Sequence, residues 1–190
     1  MKIPSFPAND SNAVLFRTLS ELIRLRREDA ASLGQLDNAV AWLRFLDANM
    51  TVVGNVGTGE DDLMTYTLPD GLLKRDNWGL RITSLFTFAN NANNKRVRLY
   101  LGGSSVYDTT AVAAQNTSMV AVTNIIRTGD ASQVIFGTVN SNDSTIADGS
   151  YYAAGSVNLL AAATFKATGE ATSTDDIVQR SMLVEWLPFN

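Results

Sequence analysis

The spacing of apolar residues divides the chain near Thr51. Before this point apolar residues recur at alternating intervals of three and four, and after it they alternate with polar residues at an interval of two. The first spacing places apolar side chains along one face of an α-helix, and the second places them on one face of a β-strand. The pattern therefore predicts a helical segment followed by a strand-rich domain.

The helical pattern covers residues 13–50 and forms a heptad seam that is interrupted at Arg26 and Asp29, close to Gly34. One continuous helix would require partner chains, whereas two helices joined near residues 27–33 would not. Apolar residues beside the seam widen the stripe, which favours a trimeric coiled coil or packing on the chain's own sheet. The trimer interpretation assigns an oligomer interface to Leu15, Leu19, Leu22, Leu33, Leu36, Val40 and Leu43.

Two shorter segments flank the helical pattern. Residues 1–12 contain Pro4 and Pro7 and end in polar residues that suit a helix cap, so we predict an extended arm that docks on neighbouring proteins. Residues 51–62 are rich in glycine and are predicted to form a hinge. These glycines are not a phosphate loop, because their spacing is wrong, no lysine follows and the acidic residues 60–62 would repel an anion.

Residues 63–190 show the alternation that is typical of strands. The clearest strand places Val97, Leu99 and Leu101 on one face and Arg98 on the other. Further strands are predicted at residues 63–68, 80–88, 119–126, 133–139, 157–167 and 177–187. No segment of helix length separates them, so the predicted fold class is mainly β: an antiparallel β-sandwich or jelly roll preceded by an amphipathic N-terminal helix.

The composition excludes the commonest catalytic devices. The chain of 190 residues has a formal net charge of -4 and no histidine or cysteine. It therefore cannot form a Ser-His-Asp or Cys-His constellation, a thiolate zinc site or a disulfide. Carboxylates cluster at residues 60–62 and 175–176, where a glycosidase pair and a calcium site are the alternatives, but neither cluster has diagnostic spacing. We predict no catalytic residue, no metal ligand, no cofactor and no enzymatic activity.

Two further classes of partner are not supported by the sequence. Basic residues are balanced by nearby acidic residues or alternate with core positions, which does not resemble a nucleic-acid footprint. No apolar run approaches the ~18 residues of a membrane span, and the N-terminus does not resemble a secretory signal. We predict no nucleic-acid binding, no membrane insertion and folding in a cytoplasm.

Five side chains are candidate ligand contacts. Asn91 and Asn93 belong to an asparagine-rich run whose amides could bond a glycan or, alternatively, stabilise a hairpin loop. Tyr107, Tyr151 and Tyr152 flank polar turns, and tyrosine is a favoured contact residue for sugars and proteins. The alternative for each tyrosine is a structural role on the sheet surface.

Several motifs of the strand-rich region combine into a resemblance. They are Tyr66-Thr67-Leu68-Pro69-Asp70-Gly71-Leu72-Leu73, Gly79-Leu80-Arg81-Ile82, the run from Phe88 to Gly103, and Ile125-Ile126-Arg127-Thr128-Gly129. Together they resemble the β-sandwich domain of bacteriophage virion proteins, including tail fibres and head-attached fibres or spikes, over roughly residues 60–190. The resemblance implies a non-enzymatic, usually trimeric virion component that assembles in the bacterial cytoplasm. It carries over no binding residues.

These observations lead to three hypotheses. The leading one is a homotrimeric fibre or spike of the virion, in which the arm binds other virion proteins and the sandwich attaches to a host surface glycan or protein. The second is a capsid decoration protein that cements the phage head. The third is a glycan depolymerase acting through paired acids at Asp61, Asp62, Asp175 and Asp176.

Overall fold

A computed structural model describes residues 45–187 and, before them, Glu21 and Arg24. The chain divides into two compact units, residues 1–43 and 44–190. In the first unit Glu21 and Arg24 are helical, and Arg24 Nε donates a hydrogen bond of 3.1 Å to Glu21 Oε2. The predicted arm and the predicted oligomer interface lie outside the described residues, so both stay predictions.

The second unit is an antiparallel sandwich of two sheets, which confirms the predicted mainly-β class. The strands are β1 (Phe45–Asn49), β2 (Val53–Gly54), β3 (Gly59–Leu68), β4 (Gly79–Phe88), β5 (Arg96–Leu101), β6 (Ser104–Asp108), β7 (Thr117–Gly129), β8 (Ser132–Ser141), β9 (Gly149–Gly155), β10 (Ala163–Ala171) and β11 (Ile177–Leu187). The seven-stranded sheet has the order β1-β11-β4-β7-β8-β9, with β2 also paired to β11, and the four-stranded sheet has the order β3-β10-β5-β6.

The core lies between the two sheets and follows the predicted alternation. In β5 the side chains of Val97, Leu99 and Leu101 are buried, while Arg98 between them lies on the outer side. The largest buried apolar side chains include Phe86 from the seven-stranded sheet and Phe165 from the four-stranded sheet. The chain has no disulfide, so the burial of apolar surface holds the two sheets together. Each Å² of apolar surface removed from water contributes about 25 cal/mol of stabilising free energy.

The predicted helical segment extends too far toward the C-terminus. Residues 45–49, assigned to the helix by the heptad spacing, form strand β1 on the edge of the seven-stranded sheet. Phe45 pairs with Glu185 and Asn49 with Met182, and Leu46 packs against the core. Pairing with the long strand β11 supplies hydrogen bonds that local helix propensity cannot outweigh.

The predicted hinge at residues 51–62 is part of the sandwich. Its centre is Asn55, which is fully buried. Asn55 Oδ1 accepts a hydrogen bond of 2.9 Å from the Ile177 backbone N–H, and Asn55 Nδ2 donates one of 2.9 Å to the Ser173 carbonyl. Gly57 and Gly59 adopt positive φ values of 67° and 111° that allow the chain to turn into β3. These bonds fix the segment to the start of β11.

Two strand assignments near residue 155 also differ from the sequence prediction. Residues 157–162 precede strand β10, which begins at Ala163 and continues to Ala171. Strand β9, Gly149–Gly155, was not predicted, because its small residues have weak strand propensity. Pairing with β8 over seven residue pairs holds it in place.

The sandwich has two distinct ends. At one end, which we call the loop end, β4, β8 and β10 finish and β5, β7 and β11 begin, with connections at residues 89–95, 109–116, 142–148 and 172–176. At the other end, which we call the base, Phe45 pairs with Glu185 and Leu187 with Gly79. The chain therefore enters and leaves the described sandwich at the base.

Candidate functional site

A pocket of about 480 Å³ opens at the loop end of the seven-stranded sheet. It is formed where β4 ends and where β7 and β11 begin. The side chains that give it its character, and that define the loop-end pocket below, are Thr87, Asn116, Asn142, Asp175, Val178 and Arg180. Its volume lies within the roughly 300–1,000 Å³ that is usual for small-ligand sites.

The polar groups of the loop-end pocket are largely without partners among the described residues. The side chains of Asn116, Asn142 and Asp175 are exposed and make no hydrogen bond to another described residue. Arg180 is exposed, its Nε donates a hydrogen bond of 2.9 Å to Thr87 Oγ1, and its terminal guanidinium nitrogens make no hydrogen bond to a described residue. The pocket thus presents a carboxylate, a guanidinium and two amides that can bind a ligand.

Two of these residues occupy unusual backbone conformations. Asn116 has φ 45° and Asp175 has φ 60°, in the left-handed region. Asn and Asp tolerate this region better than other residues, yet it still costs roughly 1 kcal/mol. The surroundings hold Asp175 there: its backbone N–H donates a hydrogen bond of 2.9 Å to the Asn55 carbonyl, and its carboxylate lies where a Cβ on Gly54 would be. Strained residues that the fold maintains are common at functional sites.

Asn91 and Asn93 are engaged within their own loop. Asn91 Nδ2 and Asn93 Nδ2 donate hydrogen bonds of 2.6 and 2.9 Å to the two oxygens of Asp176. Lys95 is fully buried beside them, and its Nζ donates to the Asn91 carbonyl, Asn91 Oδ1 and the Asn93 carbonyl at 2.9 to 3.0 Å. These contacts assign both asparagines a role in fixing the loop, and their contact with a ligand stays a prediction.

The electrostatics of this loop follow from burial. Burial lowers the pKa of Lys95 below its usual value, because the charged form loses its hydration. Burial acts to raise the pKa of Asp176, but hydrogen bonds from Asn91, Asn93 and the Ser173 backbone, together with the charge of Lys95, outweigh it and hold that pKa below its ordinary value. Burial thus works against the charged form of Lys95, whereas the hydrogen bonds of the loop favour the charged form of Asp176.

The three predicted tyrosines lie in two different environments. Tyr107 and Tyr151 are packed together with ring centroids 4.8 Å apart where the edges of the two sheets meet. The Tyr151 hydroxyl lies 2.5 Å from Thr123 Oγ1, and burial raises the pKa of Tyr151 to about 12. Tyr152, by contrast, is 69% exposed and pairs across the strands with Phe136, which is 42% exposed. Of these tyrosines, Tyr152 is the one that presents its ring to solvent.

The outer side of the four-stranded sheet carries an ion-pair cluster that we call the Arg98 network. Its members are Glu60, Arg96, Arg98, Asp108 and Glu170. Arg98 contacts Glu60 at 2.5 Å and Glu170 at 2.6 Å, and Arg96 contacts Asp108 at 2.5 Å. Burial acts to raise the pKa of Glu60, but hydrogen bonds from Thr168, Tyr100 and Arg98 and the charge of Arg98 outweigh it and lower that pKa. The hydrogen bond from Arg96 lowers the pKa of Asp108.

The outer side of the seven-stranded sheet is different in character, and we call it the apolar outer face. Its apolar side chains are the exposed Phe136 and Tyr152 and the half-buried Leu85, Val120, Val122 and Leu183. The polar groups beside Phe136 bond to one another: Arg81 Nε donates to Asn124 Oδ1 at 3.1 Å, and Asn124 Nδ2 donates to the Phe136 carbonyl at 3.3 Å.

The four acids that were considered for catalysis have different surroundings. Asp61 accepts a hydrogen bond of 2.8 Å from the Val56 backbone N–H, and Asp62 lies 2.5 Å from Lys166 Nζ. Asp176 is buried with its asparagine partners, and Asp175 lines the loop-end pocket. Within residues 45–187 and the two described helical residues, no group of three acidic side chains is placed to hold a metal ion.

Among the described residues, no helix has the length and apolar character that crossing a bilayer would require.

The sequence matches no protein-family model, and no curated protein is significantly similar to it. The CBM2 module of the evolved Dit protein of Lactobacillus casei BL23 phage J-1 is 12% identical over 77% of this chain and 97% of that module, with a TM-score of 0.41. Peanut lectin is 8% identical over 77% of this chain and 91% of the lectin, also with a TM-score of 0.41. At these low TM-scores the likenesses carry no argument about function.

Proposed function

We propose that the chain is a non-enzymatic structural protein of a bacteriophage virion, a trimeric fibre or spike whose β-sandwich attaches the particle to the host surface. The observation that carries this proposal is the polarity of the sandwich. The chain enters at Phe45 and leaves at Leu187 at the base, whereas the loop-end pocket lies opposite. A rigid scaffold that is joined to its support at one end and exposes loops at the other is suited to display.

The use of the carboxylates supports a non-enzymatic role. Glycoside hydrolysis requires two carboxyl groups facing each other across the substrate. Asp175 is the single acidic residue that lines the loop-end pocket. Asp62 and Asp176 are engaged by Lys166 and by asparagines, respectively. The pocket therefore has groups that can bind a ligand but lacks the second carboxylate that glycoside hydrolysis requires.

The heptad seam of residues 15–43, which precedes strand β1, holds the trimer in this proposal. Light scattering of the purified full chain should give three times the chain mass of 20.5 kDa. Replacing Leu22 and Leu36 together by aspartate places charge on the apolar seam and should yield monomers. Leu160→Asp is the matched control, because Leu160 is an exposed leucine of the sandwich, and it should leave the mass unchanged. A monomeric wild-type chain, or a trimer that survives the double substitution, would contradict this assembly.

Attachment is tested with particles made from the genome that encodes the chain and with the cells those particles infect. Immunogold labelling should place the chain on the particle surface, and fluorescently labelled full chain should bind those cells. If the particles carry no label, the virion role is ruled out. If the particles carry the chain but the purified chain does not bind cells, attachment is ruled out.

Capsid decoration is the second candidate, and the apolar outer face is the observation that favours it. Leu85, Val122 and Phe136 present apolar area that burial against a protein would stabilise. A decoration protein should bind purified empty heads and raise their melting temperature, and Val122→Lys should remove that binding. Retention on cells without binding to heads supports the fibre, and the opposite result supports decoration.

A further inference from the structure

We propose that the loop-end pocket is a saccharide site that takes an uncharged sugar residue with neighbouring hydroxyl groups, an inference that rests on the attachment role proposed above. Each hydroxyl of a sugar both donates and accepts a hydrogen bond, so its site must offer donors and acceptors together. Asp175 offers acceptors, Arg180 offers donors, and Asn116 and Asn142 offer both.

The carboxylate of Asp175 is suited to accept hydrogen bonds from two hydroxyl groups of one sugar. A carboxylate can accept a hydrogen bond at each oxygen, and such charge-assisted bonds are stronger than bonds between neutral groups. The Asp175 carboxylate makes no hydrogen bond to another described residue, so a ligand need not displace an existing partner. Arg180 is oriented by its Nε bond to Thr87, and its remaining N–H groups can donate to hydroxyl or ring oxygens.

The charge of the pocket argues for a neutral ligand. Asp175 and Arg180 are its two charged residues, and their charges are opposite. A phosphate or carboxylate would gain from Arg180 but would be repelled by Asp175. An apolar peptide would leave Asp175, Asn116 and Asn142 without hydrogen-bond partners, which is costly in a desolvated contact. Val178 supplies a small apolar surface on which the C–H groups of a sugar can pack.

The pocket is already formed without a ligand. Asn55 is buried and its carbonyl accepts a hydrogen bond from the Asp175 N–H, and the absence of a side chain at Gly54 leaves room for the carboxylate. Preorganisation reduces the entropy that binding would otherwise cost. A single sugar should still bind weakly, with a dissociation constant of roughly 1 mM, and three pockets on one trimer would increase the apparent affinity for a polymer.

The exposed pair Phe136 and Tyr152 is the competing sugar site, since aromatic rings can stack on sugars. Its neighbours are less suitable than the pocket residues. Asn124 uses its oxygen for Arg81 and its amide for the Phe136 carbonyl, so it has little hydrogen-bonding capacity left. The pocket offers more unengaged polar groups in a concave site.

The test is an amide NMR titration of the isotope-labelled full chain with glucose, galactose, mannose, rhamnose and N-acetylglucosamine, each added separately. At least one sugar should shift amides of residues 87–89, 116–118 and 174–180 in a saturable way. Asp175→Asn keeps a residue that tolerates positive φ while removing the charge, and together with Arg180→Ala it should weaken binding at least about tenfold. Arg81→Ala, an exposed arginine on the same side of the same sheet, is the control and should bind like wild type.

Three results would overturn the inference: no saturable shift with any of the five sugars, shifts confined to Phe136 and Tyr152, or unchanged binding by the double variant. Cell binding separates this failure from that of the proposed function. If the full chain binds cells but no sugar enters the pocket, attachment stands and the saccharide site is wrong. If the chain binds neither cells nor sugars, both are wrong.

Discussion

The Arg98 network and the loop-end pocket are both lined by polar side chains, but only the network pairs them. On the four-stranded sheet Arg98 lies against Glu60 and Glu170, so each of these charges has a partner of opposite sign. In the pocket Asp175 and the end of Arg180 have no partner among the described residues. Polar groups that satisfy one another stabilise a surface, whereas groups left unsatisfied are available to a ligand. The difference separates a structural surface from a binding one.

The largest effect on stability is expected at Asn55, which supports the pocket from below. Asn55→Ala leaves the Ile177 N–H without a partner in a buried setting and the Ser173 carbonyl without one in a partly buried setting. The loss of one buried and two partly buried hydrogen bonds should lower the free energy of unfolding by about 3 kcal/mol, measured by urea denaturation. Asn158→Ala, which removes one exposed turn bond to the Leu160 N–H, is the control and should cost less than about 1 kcal/mol. Equal losses would show that Asn55 is not an anchor.

The next largest effect directly compares the two regions. Arg98→Met should lower the free energy of unfolding by about 2 kcal/mol, because Glu60 and Glu170 lose their shared partner in a half-exposed setting. Arg180→Met should change it by less than about 0.5 kcal/mol, because Arg180 is exposed and donates a single bond to Thr87. Similar losses for the two variants would remove the distinction between network and pocket.

Lowering the pH should reduce the free energy of unfolding through the Arg98 network, by less than the Arg98→Met substitution does. The pKa values of Glu60 and Asp108 lie below the ordinary 4.5 and 3.8, so the folded state binds fewer protons than the unfolded state. Their contribution to stability is complete above those ordinary values and is lost as pH falls through the lowered pKa values. Urea denaturation between about pH 6 and about pH 3, a range that spans the ordinary carboxylate pKa values near 4, should show this decline in the free energy of unfolding. Arg98→Met should reduce the slope only in part, because hydrogen bonds from Thr168 and Tyr100 to Glu60 and from Arg96 to Asp108 remain. An unchanged slope would contradict the assignment.

The smallest effect on stability is expected for Asp175→Asn. This substitution keeps a residue that tolerates positive φ and removes no hydrogen bond to a described side chain. The free energy of unfolding, measured by thermal denaturation, should therefore change by less than about 0.5 kcal/mol. Cell binding should fall nevertheless. A large destabilisation would show that the carboxylate has a structural role, and the pocket would then resemble the Arg98 network.

The sequence was sufficient for the fold class where the alternation was strong. In β5 and β4 each apolar residue that the period of two placed inside is buried, as for Leu99 and Ile82. The pattern failed where non-local pairing decides the structure. Phe45–Asn49 fits a heptad in isolation but pairs with β11, and the glycine-rich segment around Asn55 is fixed by bonds to residues more than 100 positions away.

The candidate site was harder to predict than the fold. Asp175 belongs to an acidic cluster that the sequence shows, and Asn116 and Asn142 each begin an Asn-X-Ser/Thr pattern, but no pattern indicates that they meet Arg180 in one pocket. They come together because β4, β7 and β11 are neighbours in the sheet, a fact that only the topology reveals. Asn91 and Asn93 were selected for their composition, whereas the structure uses their amides to hold Asp176.

The most direct test of the account is the binding of labelled full chain to the cells that the parent particles infect. Wild type and Arg81→Ala should bind alike, and the double variant Asp175→Asn with Arg180→Ala should lose most binding while remaining folded and trimeric. Equal binding by wild type and the double variant would contradict the claim that the loop end is the attachment site.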